Sequence, residues 1–117
     1  MIIVYGIPNC DTVKKARTWL TAQGQAHTFH DFKKQGVPMV KLTLWASAVG
    51  WDKLLNRQGT TWRKLDLTAQ ANAATPVGAQ KLAIANPSLI KRPVVEWSDG
   101  FVTVGFDATH WAEIVKK

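Results

Sequence analysis

Residues 1–20 read MIIVYGIPNCDTVKKARTWL, and the first half of the fold follows from them. Ile2, Ile3, Val4 and Tyr5 are β-branched or aromatic, the make-up of a buried strand. Gly6, Ile7, Pro8 and Asn9 are turn material. Val13, Ala16 and Leu20 then recur three and four apart, which predicts a helix over residues 10–23 with one apolar stripe and Gly24 as its stop. A second strand is expected at residues 26–31, AHTFHD. Strand, helix and strand at this spacing imply a parallel pair joined by a right-handed crossover.

Further along, the periodicity changes. Pro38 opens a helix whose face is Leu42, Trp45 and Val49, and Trp51, Leu54 and Leu55 predict a short one after it. Trp62 with Leu65 marks a third piece. Thr75 and Pro76 make an N-cap and a first-turn proline, opening a helix that carries Val77 and Leu82 and ends near Asn86 and Pro87. Strands return at residues 94–97 and 101–104, separated by Ser98, Asp99 and Gly100, a hairpin signal. Asp107 caps a last helix with Ala108, Trp111 and Val115 on one side. The order βαβ, helical segment, ββα predicts a thioredoxin-like α/β fold with a mixed sheet. The helical insert falls at about residues 36–86, within a single domain over residues 1–117.

The chain has 117 residues and one cysteine, which excludes an internal disulfide and a multi-thiolate metal site. An unpaired thiol favours a reducing compartment. The apolar opening is too short for a signal-peptide core and no basic residue precedes it, so a cytoplasmic location and no membrane segment are expected. The net charge of +7 favours anionic partners, but the basic residues are dispersed and no readout motif is present. Specific nucleic-acid binding is therefore not expected. A monomer is the default expectation.

Cys10 sits where a strand has ended and a helix begins. Free backbone N–H groups and the helix dipole favour an anion there, and the thiolate is the reactive form of cysteine. Lys14, one turn on, adds positive charge. Asn9, Asp11 and Thr12 flank the thiol and are expected to shape the site. A dithiol redox site would carry a second cysteine at position 13, where this chain has Val13. Cys10 can attack a disulfide or an oxidised group, but the resolving thiol must come from outside, from glutathione or a partner protein through a mixed disulfide. His27, His30 and His110 lack metal-ligand spacing, since His27 and His30 face opposite sides of a strand, and no metal is expected. The tryptophans fit helix and strand faces. Only Trp62, in the basic TTWRKL, stands apart as a possible ligand platform.

Pro93 stands directly before a strand, a typical place for a cis X-Pro bond. A guanidinium such as that of Arg92 matches carboxylate and oxyanion geometry bidentately. The stretches VYGIPNCDTVKKA, LLNRQGTTWRKL and NPSLIKRPVV, at these separations, closely resemble the ArsC/Spx/YffB group of arsenate-reductase-like proteins over essentially the whole chain, nearest to its YffB branch. The resemblance implies a thioredoxin-like fold with a helical insert, Cys10 as nucleophile, Arg92 as the anion-binding arginine and Pro93 as cis. Arg57 falls where relatives carry another functional arginine, with Asn56 the alternative register. The implied activity is a glutathione-dependent thiol reductase with no bound cofactor, acting on a small anionic or disulfide substrate. The alternative is an Spx-like regulator binding RNA polymerase, since Gly50 in VGWDKLL matches the contact loop of Spx. Arsenate reduction is disfavoured. The region FVTVGF has Gly105 where arsenate reductases of this type place a third arginine, and Asp11 would repel an oxyanion.

Overall fold

A computed structural model describes residues 1–116. The chain divides into two compact units, one formed by Met1–Asp31 with the segment from Arg92 onward, the other by Phe32–Lys91. In chain order the first unit opens with β1 (Ile2–Gly6), α1 (Asp11–Ala22) and β2 (His27–Asp31). The second unit holds α2 (Phe32–Gln35), α3 (Met39–Val49), α4 (Trp51–Leu54), α5 (Thr60–Lys64), α6 (Leu67–Asn72), α7 (Pro76–Ala85) and a 3-10 turn at Pro87–Leu89. The first unit then resumes with β3 (Val94–Glu96), β4 (Val102–Val104) and α8 (Ala108–Val115).

The sheet has the order β2-β1-β3-β4. β1 runs parallel to β2, with Ile2 opposite His27 and Gly6 opposite Asp31, and antiparallel to β3, with Val4 opposite Val95. β3 and β4 are an antiparallel hairpin. This mixed sheet, built from a βαβ and a ββα half, is the thioredoxin-like arrangement expected from the element order.

One face of the sheet is sealed by apolar contact. Ile2, Val4 and Val95 pack with Ala16 and Leu20 of α1 and with Trp97 and Trp111. Trp111 is the hub of an edge-to-face aromatic group, its ring centroid 4.8 Å from Phe106, 5.0 Å from Trp97 and 5.9 Å from Trp19. Such pairs contribute about 0.5–1.5 kcal/mol each beyond their buried area. The buried indole N–H of Trp97 donates to the Thr103 hydroxyl at 3.0 Å, so the polar handle of the ring is satisfied inside the core.

In the helical unit, α3 buries Leu42 and Trp45, and Phe32 meets Trp45 at 6.1 Å between ring centroids. Its closing segment is tied back by Asn56 N–H to Leu89 O (2.7 Å) and Lys91 N–H to Leu54 O (2.8 Å). The helical unit begins at Phe32, immediately after β2, rather than near residue 36, and includes two helices the periodicity did not predict. Four-residue α2 is too short to show a stripe. α6 buries no residue, and Leu67 is 83% exposed; only its cap, Asp66 accepting from the Ala69 N–H at 2.7 Å, marks it. The structure also corrects the inward face of α7. Val77 is exposed, and Ala79 and Ala83 are the buried residues. The reason is close helix packing, because a Cβ built on Gly78 would lie 1.8 Å from the carbonyl oxygen of Asn72. No helix of the described residues is long and apolar enough to cross a membrane.

Alanine is favoured over glycine in a helix by about 1 kcal/mol, so Gly78→Ala would stabilise an unconstrained α7. The Asn72 carbonyl is backbone and cannot swing away, and overpacking of this kind costs about 1–3 kcal/mol or more. We expect a net loss in the urea unfolding midpoint; a gain would mean that the α6–α7 approach is looser than described.

Candidate active site at the end of strand β1

β1 ends at Gly6, buried Ile7 follows, and Pro8 and Asn9 turn in the open. The Cys10 N–H donates to the Ile7 carbonyl at 3.3 Å, and the Cys10 carbonyl accepts from the Lys14 N–H at 3.0 Å. Cys10 is thus the N-cap of α1, in extended conformation at φ −101°, ψ 124°, and its side chain makes no capping bond. The thiol is partly exposed, and its sulfur is not occupied by the helix end. Asp11, Thr12 and Lys14 are exposed on the first turn, while Val13 is buried beneath them.

The Arg–Pro block reaches the same sheet edge. Tyr5 of β1 lies opposite Val94 of β3, and continuing that antiparallel register sets Gly6 against Pro93. The Arg92–Pro93 peptide is cis. A Cβ on Gly6 would lie 2.9 Å from Val13 Cγ2 and 3.9 Å from Arg92 Cβ, so strand end, first helical turn and arginine converge with no space for a methyl group. The Arg92 Nε is buried without a hydrogen-bond partner, a state that buried polar atoms seldom tolerate. An anion docked there would satisfy it with a charge-assisted bond. Gly105 is buried, holds φ at +78° and donates its N–H to the Pro93 carbonyl at 2.9 Å. The backbone therefore disfavours a side chain at this position.

On the other face of β1, the Tyr5 hydroxyl donates to Glu96 Oε1 at 2.8 Å, and the Tyr5 ring lies 5.0 Å from that of His30. Burial, and then the bond and charge of Glu96, hold the Tyr5 phenol well above its usual range. Sequence reading missed this pair because Tyr5 and Glu96 are 91 positions apart; only the pairing of β1 with β3 joins them.

Arg57 belongs to the helical unit. It pairs with Asp52 at 3.1 Å, and its guanidinium lies 5.7 Å from the Trp62 ring, so the tryptophan singled out in the sequence is a cation–π partner of that arginine. Asn56 instead accepts the Gln58 N–H at 3.1 Å. Gly50 joins α3 to α4 at φ +85°, a conformation that calls for glycine whatever the loop contacts. Among the described residues, no group of three or more His, Cys, Asp or Glu is placed to hold a metal ion.

Comparison with known proteins places this geometry in a family. Residues 5–114 match the ArsC family, and the chain belongs to that family. A solved structure of a YffB protein is 44% identical, covers 97% of each chain and superposes with a TM-score of 0.91. An arsenate reductase (ArsC) related protein from Brucella melitensis is also 44% identical, covering 99% of this chain and 95% of its own, with a TM-score of 0.75. An uncharacterised protein of Haemophilus influenzae is 43% identical over 107 residues, 92% of each chain. The fold is thus that of the arsenate-reductase-like thiol oxidoreductases.

Two outcomes follow from the site. Gly6→Ala should cost about 1–3 kcal/mol, because Val13 is branched and buried and cannot yield; chemical denaturation measures this, and an unchanged midpoint would mean the strand end has slack. Tyr5 is the only tyrosine, so tyrosinate absorbance reports it alone. With the folded phenol above its unfolded value of about 10, its contribution to stability is complete below pH 10 and is lost as pH rises beyond it. The absorbance should appear well above pH 10 in the native protein and near 10 in denaturant. A native midpoint near 10 would mean that Tyr5 is solvated.

Proposed function

We propose that this protein is a glutathione-dependent monothiol oxidoreductase in which Cys10 is the nucleophile and Arg92 receives an anionic group of the disulfide substrate. The Cys10 thiolate attacks one sulfur of glutathione disulfide. A new S–S bond forms, the old one breaks, and one glutathione leaves as thiolate. A second thiol then attacks the glutathione sulfur of the mixed disulfide and returns Cys10 to the thiolate. Helix α1 favours the attacking anion through its unpaired N–H groups. The observation that carries the reading is the buried, unpartnered Nε of Arg92, a residue whose Cβ approaches Gly6 at the strand end, four residues before the only thiol, which caps α1. Single-thiol chemistry is supported by Val13, and arsenate is disfavoured as substrate by Asp11 and Gly105.

Mixing the protein with glutathione disulfide should add one glutathione by intact mass, and Cys10→Ser should abolish the adduct. A charge-assisted contact contributes about 1.5–3 kcal/mol, so Arg92→Ala should slow adduct formation on the order of ten- to a hundred-fold. A neutral disulfide of similar size should lose much less, and Arg92→Lys should recover part of the rate because an ammonium makes no bidentate contact. Equal losses with charged and neutral disulfides would remove Arg92 from anion binding. Absence of any adduct would remove the thiol mechanism.

A further inference from the structure

We infer that the outer face of α1, with edge strand β2, forms a docking groove for an acidic polypeptide segment of the protein whose disulfide Cys10 attacks. What the segment carries to Cys10 rests on the monothiol reading above; the groove itself does not. A shallow cavity of about 640 Å³ is lined by Lys14, Arg17, Thr18, Thr21, Ala22 and His27. Its positive charges stand free of carboxylates: none lines the cavity, and among the described residues neither Lys14 nor Arg17 makes an ion pair.

Arg17 is preorganised. Its guanidinium carbon sits 4.4 Å from the Phe29 ring centroid, a cation–π contact, and among the described residues its N–H groups make no hydrogen bond, which leaves them for a planar acceptor. Residues 14, 17, 18 and 21 fall at the spacing of one helix face, a stripe of roughly 10 Å at 1.5 Å per residue. The stripe begins one turn from Cys10, whose carbonyl accepts the Lys14 N–H. Small-molecule sites are concave and mostly apolar. This one is open and lined mainly by exposed side chains, two of them cationic, which suits an extended acidic chain that brings its own disulfide to the helix end.

The test uses a fluorescent, cysteine-free peptide rich in glutamate, followed by anisotropy at physiological salt. The full chain and its Cys10→Ser variant should bind it equally. Arg17→Glu should weaken binding on the order of tenfold or more, as reversal of an interface charge does. Arg17→Lys should fall between, and Thr18→Glu, which leaves the Phe29 contact intact, should also weaken it. Lys81→Glu, an equal charge change on exposed α7, should leave it nearly unchanged. Equal loss in Lys81→Glu, or displacement of the peptide by a single-stranded oligonucleotide, would overturn the proposal by showing a general polyanion surface. No binding at all would also overturn it. If the peptide binds as expected but glutathione disulfide forms no adduct, the groove stands and the thiol mechanism falls.

Discussion

The space missing at Gly6 organises this protein. A strand that ends in glycine can approach Val13 of the following helix and the Cβ of Arg92 more closely than any other residue allows. Gly6 is also still paired with Asp31. Arg92, distant in sequence, is therefore drawn to the end of β1 beside the start of α1, and each segment there contributes a different element of chemistry. The first turn of α1 brings unpaired backbone N–H groups, the turn after β1 brings the thiol, and the approach to β3 brings a guanidinium. The pinch sets their mutual position, and close-packed interiors transmit such constraints with little slack.

That convergence needs α1 to be held rigidly along its length, which the core provides. Ala16 and Leu20 anchor α1 against Ile2, Val4 and Val95, and Trp19 extends the contact to Phe106 and Trp111. α8 thus reaches α1 through aromatic edges over the same sheet face. Trp97, the neighbour of Trp111, satisfies its indole N–H within the core through Thr103. A core built this way fixes orientation as well as burial, because edge-to-face rings have preferred angles that aliphatic contacts lack.

The fold was legible where a local rule coincided with burial. The stripe of Val13, Ala16 and Leu20 gave α1, and all three are buried. Thr75 and Asp107 gave helix starts, and both accept the expected N–H, from Gly78 and His110. Reading failed where packing overrode size. Val77 is larger than alanine, yet the helix approaches its neighbour through Gly78 and buries Ala79 and Ala83, a choice set by a carbonyl on α6 that periodicity cannot see. Of the candidate site, Cys10 and Arg92 were visible because a turn, a helix start and an X-Pro step are local features. Gly6 as a contact, Tyr5 with Glu96, and Arg17 on Phe29 were not, since each depends on strand pairing or on a helix lying over a particular strand. Arg57 was marked by resemblance alone, and the structure adds that Asp52 and Trp62 hold it.

The proposed disulfide exchange asks less of this site than oxyanion chemistry would. An oxyanion such as arsenate concentrates charge on several oxygens and calls for several oriented donors. Here the first-turn residue beside the thiol is the acidic Asp11, and the glycine at position 105 has a backbone that resists replacement. Disulfide exchange makes a smaller demand. The negative charge present in the attacking thiolate passes to the departing sulfur, so the net charge at the helix end is unchanged through the step. The first-turn N–H groups serve that charge without a ring of arginines, and exposed Asp11 acts on it through solvent, where screening is strong. In the proposed mechanism Arg92 then recognises a fixed carboxylate on the substrate. A site with one thiol, one orphaned guanidinium nitrogen and a single helix end is matched to that division of labour.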